Sequence, residues 1–383
     1  MTKPQGEAHH GALRKQTHNA IATMKIVCRQ WRPALGNFPG YVRPRARIAV
    51  AVMTTVGLLV VSSVTGAETA SEAYRRGDFD IALREFEFQA NAGDRIAQNN
   101  LGVMYLKGRG VDVDYRSARD WFTAAAEQDL AGAMFNLGIM SLRGYGQVPD
   151  AKAASQWFGK AAERGDHEAQ FFLALQYTRG NGVKQSPQLA ERWFEDAANG
   201  GLPAAQFNLA MLHLRKNNGE DQQGIAQKWL EAAAGKEHEQ ARLHLAKLLL
   251  RRKNNPSSAE KAAHLMRGLA DEGNVESQMQ LGLMYTFGHG VEPDPEEGRF
   301  WLRQAGLQGH SAAQMNLAAI YAQGIETDQD LIRAYAWLAL AADTKAEAVS
   351  VKHDIESQLD EHQRTDAEAL ASELRGIASE FEP

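Results

Sequence analysis

The sequence predicts an all-α protein whose helices pair and stack as a solenoid. Two observations carry that expectation. Short phrases return in register: Asn100 to Gly110 reads NLGVMYLKGRG, Asn136 to Gly146 reads NLGIMSLRGYG, and Gln280 to Gly290 reads QLGLMYTFGHG. Single columns also persist. Leu101 recurs as Leu137, Leu173, Leu209, Leu245, Leu281 and Leu317, in steps of 36 residues. Trp121 recurs as Trp157, Trp193, Trp229, Trp301 and Trp337, broken only by Leu265, so six of the seven tryptophans stand on one lattice. A fixed period of this size marks a repeated supersecondary unit. A pair of helices cannot bury its apolar faces alone, so neighbouring units must share a core.

The elements follow in chain order. Arg43, Arg45 and Arg47 precede an apolar run, Ile48 to Val61, and the small residues Thr65 and Ala67 follow it. A basic flank, an apolar stretch and small residues make a secretory signal, with cleavage expected after Ala67. A spanning helix needs about 20 apolar residues, so this run is short for one. An uncleaved anchor is the alternative. The arginines favour the cytoplasmic side under either reading, so the remainder is expected outside the cytoplasm. The single cysteine, Cys28, precedes the apolar run. That excludes an internal disulfide and a lipidated cysteine anchor. His9, His10 and His18 lie in the leader without a structured setting and are not read as metal ligands. The expected divisions are a leader over 1–67, a half repeat over 68–94, seven repeats over 95–342 and a helical C-terminal cap over 343–383.

Within each unit, helix A carries the pattern A-Q-x-x-L-G-x-x-Y and stops at a glycine pair: Gly108/Gly110, Gly144/Gly146, Gly180/Gly182 and Gly288/Gly290. Glycine accepts the left-handed backbone that ends a helix. Asn217-Asn218-Gly219 and Asn254-Asn255 are expected to serve in units four and five. Helix B is expected to start at the N-cap column Asp114, Asp150, Ser186, Ser258, Asp294 and Asp330, with Gln222 its poor member. It then carries the small Ala118 column, the Trp121 column and the Ala125/Ala126 pair. The tryptophan ring is expected to fill the space between helices. Upstream, Asp78, Ala82 and Ala90 sit 36 residues before Asp114, Ala118 and Ala126, which makes the half unit. Downstream, Ile355, Leu359, Ala367, Leu370 and Leu374 give the cap an apolar face.

A unit reading A-x-A-Q-x-N-L-G-x-M-Y-x-x-G-x-G-V and then D-x-x-x-A-x-x-W-x-x-x-A-A-x-x-G resembles the Sel1-like repeat, a relative of the tetratricopeptide repeat with a longer turn between its helices. The resemblance covers about Arg95 to Ala342; units four and five depart most, because they lose the glycine pair. It implies a right-handed α-solenoid that binds other proteins. Exported bacterial members resemble regulators of envelope signalling and exopolysaccharide production, or assembly scaffolds. A cysteine-rich branch has been labelled β-lactamase-like, and this chain lacks the cysteine pairs of that branch.

The expected role is therefore non-enzymatic, with no cofactor and no metal. Ser258-Ala-Glu-Lys261 matches S-x-x-K of serine acyl-enzymes, but Ser258 belongs to the cap column, and Ser257 with Glu260 fits a capping box. The scattered His213, His244, His264, His289 and His310 form no metal motif. The first 47 residues hold nine Lys/Arg against one acid, and the rest hold 33 against 46. An acidic body argues against nucleic acid. One basic row stands out on it. Positions seven apart share a helix face, and helix A presents Asn100/Lys107, Asn136/Arg143, Phe172/Arg179, Asn208/Arg215 and His244/Arg251. Gln280/Phe287 and Asn316/Gln323 then drop the charge. Cations also favour helix C-termini by a few tenths of a kcal/mol, roughly, which explains the charge but not its stop. The sharper reading is a ladder for a protein partner in the cell envelope, on the surface that the resemblance to tetratricopeptide proteins implies is concave, with amides pairing to a peptide backbone and guanidinium groups to carboxylates. Acidic polysaccharide is the alternative ligand, and an envelope hydrolase the remote one.

Overall fold

A computed structural model describes residues 69–216, 219–252, 255–325 and 329–381. Eighteen helices and no strand occur among them. The leader, including the apolar run 48–61, lies outside the described residues. Two helices open the array, α1 (Ala70–Arg76) and α2 (Phe79–Asn91). Seven pairs follow: α3 (Arg95–Lys107) with α4 (Tyr115–Glu127), α5 (Ala131–Arg143) with α6 (Ala151–Glu163), and α7 (His167–Arg179) with α8 (Pro187–Asn199). Next are α9 (Pro203–Arg215) with α10 (Glu220–Ala234), α11 (Glu239–Leu250) with α12 (Pro256–Asp271), α13 (Val275–Phe287) with α14 (Pro295–Leu307), and α15 (Ser311–Gln323) with α16 (Leu331–Ala342). α17 (Ala346–Glu356) and α18 (Glu361–Ser379) end the chain. Consecutive helices from α1 to α17 pack on one another, α18 returns to α16, and α17 and α18 thus both cover α16. Residues Ala334 to Ala341 are accordingly buried without a break. Ile355, Leu359, Ala367 and Leu374 face the same core, with Leu370 partly buried beside it.

Gly108, Gly144, Gly180 and Gly288 are the left-handed C-caps of their helices. The second glycine is constrained twice. Gly182 has φ +75°, and a Cβ there would lie 2.0 Å from the Ala151 carbonyl oxygen, at the start of α6 in the preceding unit. The turn is pinned from the other side as well: the Asp114, Asp150, Ser186, Asp294 and Asp330 amides donate to carbonyls of Tyr105, Ser141, Tyr177, Tyr285 and Tyr321. Those five residues also cap helix B through their side chains.

Unit five departs from the sequence expectation. α12 begins at Pro256, and its cap is Asn255, which accepts from the Ser258 amide at 3.0 Å. Ser258 lies inside the helix and Asn255 is not a stop for α11. The physical reason is Pro256: it needs no partner for an N–H at the first helical position, so the helix starts three residues early. Tryptophan is also corrected. Trp121, Trp157, Trp193 and Trp229 are only partly buried, while Trp301 and Trp337 are buried. The gap between helices is filled by the next residue, Phe122, Phe158, Phe194, Leu230, Met266, Leu302 and Leu338, all at most 2 % exposed. An indole keeps a polar N–H that favours the edge of a core.

A second set of caps and turns had not been read from the sequence. Helix A is capped by Asp94, Asp166, His238, Asn274 and His310, while Leu130 and Leu202 occupy the same column without a side-chain bond. The residue before each is left-handed: Gly93, Gly165, Gly201, Gly273 and Gly309, but Asp129 and Glu237 in the remaining two. Buried glutamines then stitch units together. The side-chain amides of Gln98, Gln170, Gln206, Gln278 and Gln314 donate to carbonyls eight residues back, in the last turn of the preceding helix B. Each of those carbonyls also accepts the backbone amide three residues on, so the glutamine supplies a second bond to a buried acceptor. In unit five the column holds Arg242, which donates to Glu272 at 2.9 Å. The corresponding pairs elsewhere are Gln98 with Gln128 and Gln278 with Gln308. The Arg242 hydrogen bond holds the Glu272 carboxyl below the usual range.

Gly182→Ala is expected to lower stability by about 2 kcal/mol, since it adds both a steric clash and a strained φ. Glu237→Gly should raise it by about 0.5–1 kcal/mol by relieving the same backbone region. Urea midpoints moving in opposite directions are the measurement. Replacing Arg242 and Glu272 together by Gln should hold stability within about 0.5 kcal/mol, because an amide pair serves this position elsewhere. Glu272→Ala alone should cost about 1 kcal/mol, because Arg242 is left half-buried without its carboxylate.

Candidate functional site

Helix A turns Ala97, Gln98, Leu101 and Met104 into the core. Positions 96, 100, 103 and 107 lie on the opposite side, and none of them is buried in any of the seven units. Three rows result. The first holds Asn100, Asn136, Phe172, Asn208 and His244, all partly exposed. The second holds Val103, Ile139, Leu175 and Met211, also partly exposed. The third holds Lys107, Arg143, Arg179, Arg215 and Arg251, all exposed. The aliphatic row escaped the sequence reading, which followed only the Asn100 and Lys107 columns. The signal was present: Ile96 and Val103 are seven apart, as Asn100 and Lys107 are.

The structure also shows what these groups already do. Asn136 donates to Asn99 of the preceding unit at 2.9 Å. Asn208 donates to the Ala204 carbonyl, and His244 to that of Gln240. Lys107, Arg143, Arg179 and Arg215 are the last residues of their helices, and Arg251 is the C-cap of α11. Each therefore meets the negative end of a helix dipole. Arg252, next in the chain, reaches Gln227 on α10. Lys253 lies outside the described residues.

The rows change at unit five. Lys247 takes the aliphatic position and pairs with Glu276 of α13 at 2.9 Å. His310 meets the other carboxylate oxygen at 3.2 Å. Burial pushes the Glu276 carboxyl up, but hydrogen bonds and charge from Lys247 and His310 outweigh it and hold it low. Glu168, on the first turn of α7, behaves oppositely: burial and the neighbouring Asp166 push its carboxyl up. Beyond the network, the basic column ends in Phe287, which is 53 % exposed.

The S-x-x-K residues do not converge. Ser258 is buried and Lys261, three residues on, is exposed. Among the described residues, no group of three or more His, Cys, Asp or Glu could hold a metal ion. No helix among them is long and apolar enough to cross a membrane.

The Sel1 repeat profile matches residues 95–130, 131–166, 167–202, 203–238, 275–310 and 311–343. It passes over 239–274, where α11 and α12 lack the glutamine stitch and the glycine pair. No curated protein matches the chain. Among solved structures, a Sel1 repeat protein from Oxalobacter formigenes is 27 % identical, with a TM-score of 0.51 over 62 % of this chain and 94 % of that one. A protective antigen of uropathogenic Escherichia coli with an SLR fold is 26 % identical, with a TM-score of 0.49 over 81 % of this chain and 78 % of that one. A Sel1 repeat protein from Klebsiella pneumoniae is 22 % identical, with a TM-score of 0.33 over 53 % of this chain and 99 % of that one. With six matched units spanning more than half its length, the chain belongs to the Sel1 repeat family.

Proposed function

We propose that this Sel1 repeat protein is a scaffold or regulator in the bacterial cell envelope, and that it holds an extended, acidic segment of a protein partner across α3, α5, α7, α9 and α11. Sel1 repeat proteins mediate protein–protein interaction and are typically non-catalytic. The observation that carries the finer reading is the coincidence of three rows on the outward face of helix A in four successive units. Amides can pair with a peptide backbone, aliphatic side chains can bury apolar surface, and cations attract carboxylates. Each contact is small, but repetition at one spacing adds them along an extended ligand. Export rests on the basic flank and apolar run of the leader. Acidic polysaccharide would use the cations and amides and leave Val103, Ile139, Leu175 and Met211 without a role, so protein is the better fit.

The full chain can be crosslinked in its native host beside a variant with Arg143, Arg179, Arg215 and Arg251 all changed to Ala. We expect a protein crosslinked to α3–α11 in the native chain, weakened by salt, and lost at least tenfold in the variant, since four charge contacts each contribute roughly 0.5–1 kcal/mol. Equal capture by both chains would mean that the cations serve only their helix ends. Salt-sensitive retention of an anionic glycan with no crosslinked protein would favour the polysaccharide reading.

A further inference from the structure

We propose that His238 is a pH-sensitive latch at the junction of α10 and α11: as a neutral ring it caps α11, and on protonation it releases the first turn of that helix. The cap geometry defines the proton. His238 Nδ1 accepts from the Ala241 amide at 3.2 Å, so the ring hydrogen sits on Nε2. Nε2 is buried and has no partner. A second proton could enter only at Nδ1, where it would turn the acceptor into a donor facing an N–H. The resulting cation would also sit at the positive end of the α11 dipole.

Burial outweighs what favours the cation, a hydrogen bond to the residue's own backbone and the charge of Glu239. Phe207 of α9 stacks on the ring, with centroids 5.1 Å apart. His244, nearly two turns along α11, acts on the ring as a like charge. Glu239 is the one carboxylate acting favourably on the ring, and it is engaged by Asn274 at the α12–α13 turn, 2.8 Å away. Arg242, also on α11, is taken up by Glu272 of α12. Lys236, on the α10–α11 turn, donates to the Gly201 carbonyl. Burial is the largest effect, and it holds the His238 ring below the ordinary histidine value. The unfolded chain then binds a proton near pH 6.5 that the folded chain refuses, so stability at this junction is present above about pH 6.5 and is lost as pH falls below it.

The same junction carries Glu237 in the left-handed region, at φ +60°, where five of the other six units place glycine. A strained residue beside a titrating cap lowers the cost of local opening at this turn as pH falls. His310 offers a contrast within the chain. It caps α15 in the same way, but its Nε2 has a partner in the Glu276 carboxylate.

Hydrogen exchange of the full chain between pH 7.5 and pH 5 tests the latch. The protection of the Ala241 amide is read as a ratio to that of Ser277, whose cap, Asn274, does not titrate. In the native chain the ratio should fall about tenfold on acidification, the measure of one lost cap. In His238→Asn it should change less than about twofold, because Asn caps the same column at residue 274. If His238→Asn folds poorly, His238→Asp supplies the cap used at Asp94 and Asp166, with the same flat ratio expected. A native ratio that does not move with pH, or an equal fall in the capped variants, would overturn the proposal.

Discussion

Every helix pair in this protein depends on one close approach. The large residue after the tryptophan column must lie flat against helix A, and helix A must give it room. A Cβ added at Gly102 would stand 2.7 Å from the Phe122 ring, and one added at Gly138 would stand 2.5 Å from Phe158. Gly282 faces Leu302 in the same way at 2.7 Å. The fully buried alanines at 118, 154, 190, 226, 262 and 334 keep helix B equally thin on its inner side. Dispersion and apolar burial favour such contact only when no side chain holds the backbones apart. Because helices in successive units meet through the same small and large columns, one local rule fixes the whole stack.

Close packing creates a polar problem at every junction, and the buried glutamines answer it. The last carbonyls of helix B accept one amide from the turn that follows, which leaves a second lone pair enclosed. In five of the seven units one amide meets such a carbonyl and ties unit to unit across the core, while Met134 and Arg242 hold the column in the other two. Unit five shows how far the rule can bend. Arg242 and Glu272 replace the amide pair, Asn255 replaces the aspartate cap, and the helices still stack in place. The cost is visible as Arg242 Nε and His238 Nε2, both buried and unpaired. The helix-A rows change character over the same stretch, where Lys247 enters the aliphatic row and closes on Glu276.

The sequence by itself determined the period, the pairing of helices, four of the glycine stops and five of the six expected helix-B caps. Those features depend on local backbone chemistry, so they repeat as visible letters every 36 residues. Tertiary structure decided the rest. Which aromatic fills the gap depends on which side of helix B meets the neighbour, and Trp121 and Phe122 are adjacent in sequence but differ by about 100° around the helix. The role of the glutamines depends on a carbonyl eight residues back, brought near by the turn between helices. The caps of helix A hide in a column that mixes Asp, Leu, His and Asn, because a carboxylate, an imidazole and an amide can accept the same bond. The aliphatic row was legible as letters but not as surface, since only packing shows which apolar residues are left facing outward.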